Sequence, residues 1–274
     1  MGQCTLFSAD TSKSDKAQSF SDSFALPSHN ITKGNKTSGG KATKQIKRLE
    51  ALYDETCSFY LQSNLSRSIA TALDRKRRPR ISKLVLLGLG SLGTSRDQGR
   101  RIKQLVLFVA LALFITSTSE PKEASVSLYV QDPMFDRTDE AFLQNMGFKV
   151  LHTPSPYQLG EAGDVIDDET LVYTPHLPLM AYKALLASST QGAGGGDGVK
   201  GGLEDAMPVL MSDDFDGLRR KWDKQTEEFR DVEMLTKRLR GYGYRRRAIG
   251  AGGFWVEEDA SFPMALYTKV VKVV

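Results

Sequence analysis

The segment Leu84-Val85-Leu86-Leu87-Gly88-Leu89-Gly90-Ser91-Leu92-Gly93 constrains the fold more than any other part of this 274-residue chain. Four consecutive apolar residues bounded by glycine have the form of a strand buried on both faces. Gly-x-Gly-x-x-Gly follows directly, and residues Arg96–Phe114 then read as a helix, polar at its start and apolar through its last half. Strand, glycine turn and helix in that order are the context of a dinucleotide-type loop, which a lone pattern match lacks.

The rest of the chain repeats the alternation. Strands are expected at Val126–Val130, Phe148–Leu151, Thr170–Tyr173 and Pro208–Met211, and closing strands at Phe254–Val256 and Ala265–Val274. Helices are expected at Glu140–Met146, closed by Gly147, at Leu179–Ala187, and around Trp222, Phe229, Val232, Leu235 and Leu239. Strands alternating with helices give an α/β fold, a Rossmann-like three-layer sandwich with a mostly parallel sheet. Ile46, Leu49, Tyr53, Cys57, Tyr60 and Leu61 recur at helical spacing, and Leu65, Ile69 and Leu73 continue it after a break near Ser63-Asn64. Those N-terminal helices precede the sheet. Residues 1–42 are polar and aperiodic, the composition of a disordered tail, and 43–274 read as one α/β domain. The stretch 191–202 carries seven glycines between a helix and a polar turn, the mark of a flexible surface insertion.

Composition excludes several classes. Two cysteines, one of them Cys4 in the tail, make no disulfide framework and suit a reducing compartment. With three histidines beside them, no zinc-site spacing is assembled, so no metal is expected. A net charge of +4 does not by itself imply nucleic acid. The N-terminus lacks the apolar run of a secretory signal, and the myristoylation pattern suggested by Met1-Gly2-Gln3-Cys4 fails at Leu6. The apolar run Leu105–Ile115 is much shorter than the roughly 20 residues of a membrane span. A cytoplasmic or nuclear protein is expected. The basic stretch 75–80 reads either as a nuclear-import signal or as a solvated linker.

In a dinucleotide site Gly88 would allow the tight turn, Gly90 the close approach of backbone to a phosphate, and Gly93 close packing of helix on strand. Ser91, Ser95 and Arg96 would add polar groups at the helix start, where unpaired N–H groups favour anions. The acid expected about 20 residues on to hold a ribose is displaced: Asp132 comes 39 residues after Gly93, at the end of the second strand. A purely structural turn therefore remains open beside a ligand loop. Ligands of open α/β sheets sit beyond the carboxyl ends of the strands, which would gather Asp132, His176, Asp213 and Asp214 at the same edge. A histidine beside carboxylates suits acid–base work, yet His176 between two prolines equally suits a rigid turn, and Asp213-Asp214 equally suit a helix cap. No Gly-x-Ser-x-Gly elbow is present, and no reaction is named. Lys237–Arg240 and Arg245–Arg247 bracket Tyr242 and Tyr244, a pattern of single-stranded nucleic-acid binding and also of a helix C-terminus followed by a solvated loop.

Four motifs together resemble the SRR-like ("sensitivity to red light reduced") domain family. They are Leu86-Leu87-Gly88-Leu89-Gly90-Ser91 with Ser95-Arg96; Tyr129-Val130-Gln131-Asp132-Pro133-Met134-Phe135; Phe142-Leu143 through Gly147–Leu151; and Tyr173-Thr174-Pro175-His176-Leu177-Pro178. They span about 83–215. Where that family often has a Gly-Asn-Ser-Phe-like turn after the fifth strand, this chain has Met211-Ser212-Asp213-Asp214-Phe215. The resemblance implies a regulatory protein, linked to light signalling and circadian timing in plants or to haem-biosynthesis regulation elsewhere, acting with protein partners. It implies no settled enzymatic activity and no known cofactor. The residues themselves leave open a cofactor-dependent enzyme that uses S-adenosylmethionine or NAD(P).

Overall fold

Apolar runs that cannot be amphipathic must be covered on both sides, and the sheet is built on that requirement. The computed structural model describes residues 39–73, 79–93, 96–119, 126–175, 177–187, 207–250, 252–255 and 264–269. Five parallel strands form the centre: β1 (Lys83–Leu87), β2 (Ser127–Gln131), β3 (Lys149–Leu151), β4 (Thr170–Thr174) and β5 (Val209–Asp213). The hairpin β6 (Tyr244–Ile249) and β7 (Met264–Lys269) closes one end. Seven strands lie in the order β3-β2-β1-β4-β5-β7-β6, with β7 antiparallel to both neighbours.

Side chains alternate between two cores, as a period of two requires. Leu84, Leu86, Val130, Leu171, Tyr173, Val209 and Met211 face one layer of helices: α1 (Gly39–Gln62), α2 (Leu65–Ala72), α3 (Gln98–Thr118) and α4 (Arg137–Asn145). Val85, Leu87, Val172, Leu210 and Tyr267 face the other layer: α5 (Ala162–Val165), α6 (Leu179–Leu185), α7 (Phe215–Leu218) and α8 (Glu227–Gly241). This is the three-layer Rossmann-like arrangement. Helix α3 is long and apolar enough to cross a membrane by length and composition. Its Leu105, Leu107, Phe108, Leu111 and Ile115 are instead buried in the first core. That burial explains an apolar surface nearly all round the helix.

Helix α1 begins at Gly39, before its apolar spacing starts. The break at Ser63-Asn64 holds, with the Asn64 N–H donating to Gly252 O. The closing elements depart from expectation. Phe254 and Trp255 sit in a turn, not a strand; the Phe254 ring packs on α1, Tyr60 meeting it edge to face, and Trp255 packs against Phe254. The strand in question is Tyr244–Ile249, which reads as a basic loop. At a sheet edge only Tyr244 and Ile249 are buried, so three arginines interrupt the apolar signal. Charge on an edge strand also blocks pairing with a second chain. Helix α8 begins at Glu227, capped by the Thr226 hydroxyl accepting the Phe229 N–H, so Trp222 lies ahead of it. Of the expected disordered tail 1–42, residues 39–42 are instead the first turn of α1, and 1–38 lie outside the described residues, as do most of the basic stretch 75–80 and the insertion 191–202.

Candidate functional site

The strand order turns away in opposite directions from β1 and β4, and a crevice opens above that point. A cleft of about 390 Å3 lies there, bounded by Leu87–Gly90, Arg100 and Arg101 of α3, Gln131–Met134 after β2, a loop after β3, and Leu177, Pro178 and Ala181 at the start of α6. Small-molecule sites run from about 300 to 1,000 Å3, so one compact ligand fits.

The glycine loop forms the floor. Gly88 and Gly90 have φ of 78° and 76°, a region side chains avoid. A Cβ on Gly88 would stand 3.1 Å from Pro175 O and 3.3 Å from Leu177, so the residue lets β1 pass close to the chain leaving β4. A Cβ on Gly90 would reach the Arg101 guanidinium at 2.8 Å. Gly93 does not pack helix on strand as expected; its Cβ would meet Ser91 Oγ and, farther off, Gln45 of α1.

Three N–H groups of the loop are already spoken for. Gly90 donates to Asp132 Oδ2 at 2.7 Å, Leu92 to Asp139 Oδ1 at 3.1 Å, and Gly93 to Ser91 Oγ at 3.1 Å. The Ser91 hydroxyl in turn donates to Asp139. Arg101 Nη1 donates to Ser91 O. Asp132 also accepts the Met134 N–H at 2.8 Å through Oδ1. Burial raises the Asp132 carboxyl above its usual range, against the two backbone donors and Arg101, which pull it down. The loop is thus a braced floor, its N–H groups turned to the protein's own carboxylates.

A family model described as the SRR1 domain matches residues 50–244. The chain belongs to the SRR1 domain family. The match begins in α1 and ends at the first residue of β6, so the leading helices fall within it as well as the sheet. A search of curated proteins finds no match. Among solved structures the chain is similar to cofactor-bound Rv0187 from MTB, at 11% identity over 82% of this chain and 89% of that one, with a TM-score of 0.40.

In this SRR1 domain the sequence-expected residues divide. Gly88, Gly90, Ser91, Gly93 and Asp132 come together at the cleft or beneath it. Arg96 is exposed in the turn before α3 and does not line the cleft. Ser95 and His176 lie outside the described residues. Asp213 and Asp214 end β5 away from the cleft. Asp214 caps α7 by accepting the Asp216 N–H at 3.2 Å and takes a two-pronged contact from Arg246, at 2.6 and 2.5 Å. It is an anchor for the edge strand. Asp213 is buried, and its Oδ2 lies 3.2 Å from the Tyr182 hydroxyl, which itself donates to Thr174 O at 2.9 Å. Among the described residues its Oδ1 has no hydrogen-bond partner, and burial pushes the carboxyl up to about 8.

Sequence reasoning missed Arg100, Arg101, Asp139 and the loop after β3. The arginines were legible as two cations in the first turn of a helix, against the macrodipole. Asp139 was legible as the third residue after Asp136 in a capping box, which the structure contains. The loop had no local signal. Its neck is closed by His152 and Glu161, where His152 N–H donates to Glu161 Oε2 at 2.8 Å and Glu161 N–H to His152 O at 3.0 Å. Inside, Thr153 Oγ1 lies within hydrogen-bond distance of both Ser155 O and Gln158 O, to one of which its single O–H donates. The late basic cluster is largely tied within the fold: Arg238 donates to Leu186 O, Arg240 pairs with Asp216, and Arg247 donates to Thr71 O.

Proposed function

We propose that this SRR1-domain protein is a regulator that works by holding a compact nucleoside-type ligand, of the S-adenosylmethionine class, in the cleft above β1 and β4. The observation that carries the reading is the Gly90 N–H given to Asp132. A dinucleotide site needs such loop donors for its pyrophosphate. Here Gly90, Leu92 and Gly93 spend theirs internally, and a carboxylate stands at Gly90 where an anion would come. That favours a ligand without phosphate at this point, with Asp132, after β2, near a ribose hydroxyl. It weighs against NAD(P). The sheet order supports the same class, since the nicotinamide fold runs 3-2-1-4-5-6. Here a reversed β7 lies between β5 and β6, which departs from that order. Fold analogy alone does not assign a reaction.

Binding is favoured over proton chemistry because Asp132 is the one carboxylate among the described cleft residues, and both its oxygens accept backbone N–H groups. The family resemblance supplies the regulatory side: light or circadian timing, or haem-linked control, with protein partners, in the cytoplasm or nucleus. An S-adenosylmethionine-dependent transferase is the second reading, favoured by the strand order.

Thermal unfolding of the full chain against S-adenosylmethionine, S-adenosylhomocysteine, NAD(H), NADP(H), ATP and GTP tests both. Ligand at 100 times its Kd adds about 2.7 kcal/mol. A rise in Tm with the two adenosyl compounds, absent with the dinucleotides and lost in Asp132→Asn, is expected. A flat panel or a dinucleotide-only response overturns the reading, and turnover in the presence of cell extract moves the transferase forward.

A further inference from the structure

A buried side-chain amide has to place an accepting oxygen and a donating NH2 group on two arms of one plane. Gln131 ends β2 and is 5% exposed, its Cα in register with Leu87 of β1 on one side and Leu151 of β3 on the other. Its Oε1 accepts the Ala162 N–H at 3.1 Å. That bond orients the amide, since only the oxygen can face an N–H donor. The Nε2 group on the other arm has no hydrogen-bond partner among the described residues. It is not sealed off either, because the sealed side-chain atoms without a partner among those residues are Asp213 Oδ1 and Trp255 Nε1. The open space that Gln131 lines is the cleft. A deeply buried residue thus presents one fixed donor there.

The cleft beside that donor is apolar, and bonds on both sides of Gln131 hold it so. The Ala162 N–H that meets Gln131 also reaches Leu159 O at 3.0 Å. The Gly88 N–H donates to Gln131 O at 3.3 Å, and a Cβ on Gly88 would stand 3.3 Å from Leu177 Cδ1. Leu159 and Leu177 pack on the second core with Leu87, and all three line the cleft together with Ala181. Asp132, one residue on, is turned instead to the glycine loop. An apolar wall with a single placed donor suits a flat heteroaromatic ring that carries an acceptor nitrogen. We infer that Gln131 is the base-reading residue of the cleft, its Nε2 donating to an acceptor ring nitrogen of an adenine-type purine seated against Leu159 and Leu177. The inference rests on the nucleoside reading and adds to it the residue that selects the base.

The test is calorimetric titration of the full chain with adenosine and its 1-deaza, 3-deaza and 7-deaza analogues, each of which replaces one acceptor nitrogen by C–H. One of the three is expected to bind about fivefold more weakly than adenosine, the worth of one hydrogen bond, and the other two to match it. Gln131→Met has the same reach without the donor, and Ala162 keeps Leu159 O as a partner. This variant weakens adenosine about fivefold and abolishes the difference between adenosine and that one analogue. A residue that only shaped the wall would leave the difference in place. Gln131→Glu keeps an oxygen for the Ala162 N–H and turns a second oxygen on the base, so it repeats the comparison should Gln131→Met fail to fold. Three analogues equal to adenosine, or a penalty that persists in the variants, overturn the inference. S-Adenosylhomocysteine titrated alongside separates the two readings. Its binding without any deaza penalty defeats the role of Gln131 alone, and a deaza penalty without its binding defeats the S-adenosylmethionine class alone. No binding of adenosine or of S-adenosylhomocysteine defeats both.

Discussion

Asp132 holds Gly90 from across the sheet edge, its Oδ2 accepting the Gly90 N–H at 2.7 Å while its Oδ1 accepts the Met134 N–H at 2.8 Å. One carboxylate therefore fixes both the glycine floor after β1 and the turn after β2 that carries Met134 into the cleft wall. Floor and β2 turn are mechanically one piece.

Asp132→Asn tests that coupling. The amide keeps one acceptor oxygen and turns an NH2 group toward the other backbone donor. A partly buried donor left unpaired costs about 1–3 kcal/mol. Urea unfolding should show a loss of that size, and amide exchange should quicken at Gly90 or Met134. An unchanged midpoint with both amides still protected would mean that the bonds are incidental to the loop.

Asp139 braces the same loop from α4. It is fully buried, accepts the Leu92 N–H, receives the Ser91 hydroxyl, and closes a capping box by accepting the Asp136 N–H at 3.1 Å. Asp139→Ala removes the reciprocal half of the capping box, which orphans the Asp136 N–H while Asp136 still caps the helix, and orphans the Leu92 N–H as well, a combined cost of about 2–4 kcal/mol. Asp139→Asn, which keeps one acceptor and fills the same space, should fall between the two. Equal stability of all three proteins in urea would show that the box contributes nothing.

Gly160 sits at the neck of the loop after β3 with φ of 49°, and a Cβ there would stand 2.5 Å from His152 O and 2.8 Å from Thr153 Cα. Both are main-chain atoms, so the neck must open to admit even a methyl group. Gly160→Ala should cost about 1–3 kcal/mol and expose the 153–159 segment to limited proteolysis. Wild-type resistance to the protease in the variant would contradict the close approach.

How far the sequence alone leads can be read from these residues. The central sheet was legible because Leu84–Leu87 and its counterparts are buried on both faces, and continuous apolar runs have few other uses. Gly88, Gly90 and Asp132 were legible because strand, turn and helix came in order. The hairpin was not, since an edge strand buries only its ends and three arginines in Tyr244–Ile249 look like loop. Asp214 and Asp132 carried the same expectation from sequence and differ only in three dimensions, one anchoring Arg246 and the other reaching Gly90. The wall made by the loop after β3 could not be found in advance, because Thr153, Ser155 and Gln158 reach the cleft beside Met134 only through the parallel order of β2 and β3.

Asp213 yields the sharpest solution test. Its carboxyl is pushed up to about 8 by burial between β5 and α6, with the Tyr182 hydroxyl and Lys221 pulling the other way. In the unfolded chain an aspartate titrates near 3.9. Between those values the folded state keeps a proton that the unfolded state releases. The group's contribution is therefore fully present below about pH 4 and is lost progressively as pH rises toward 8, by up to about 1.4 kcal/mol per pH unit. Asp213→Asn carries no such proton. Its stability should change less than wild type between pH 5 and pH 8, so that the variant gains on wild type as pH rises. Urea unfolding of both proteins at the two pH values measures the difference. Parallel pH profiles would mean that Asp213 is ionised in the fold, with water or another group meeting its second oxygen.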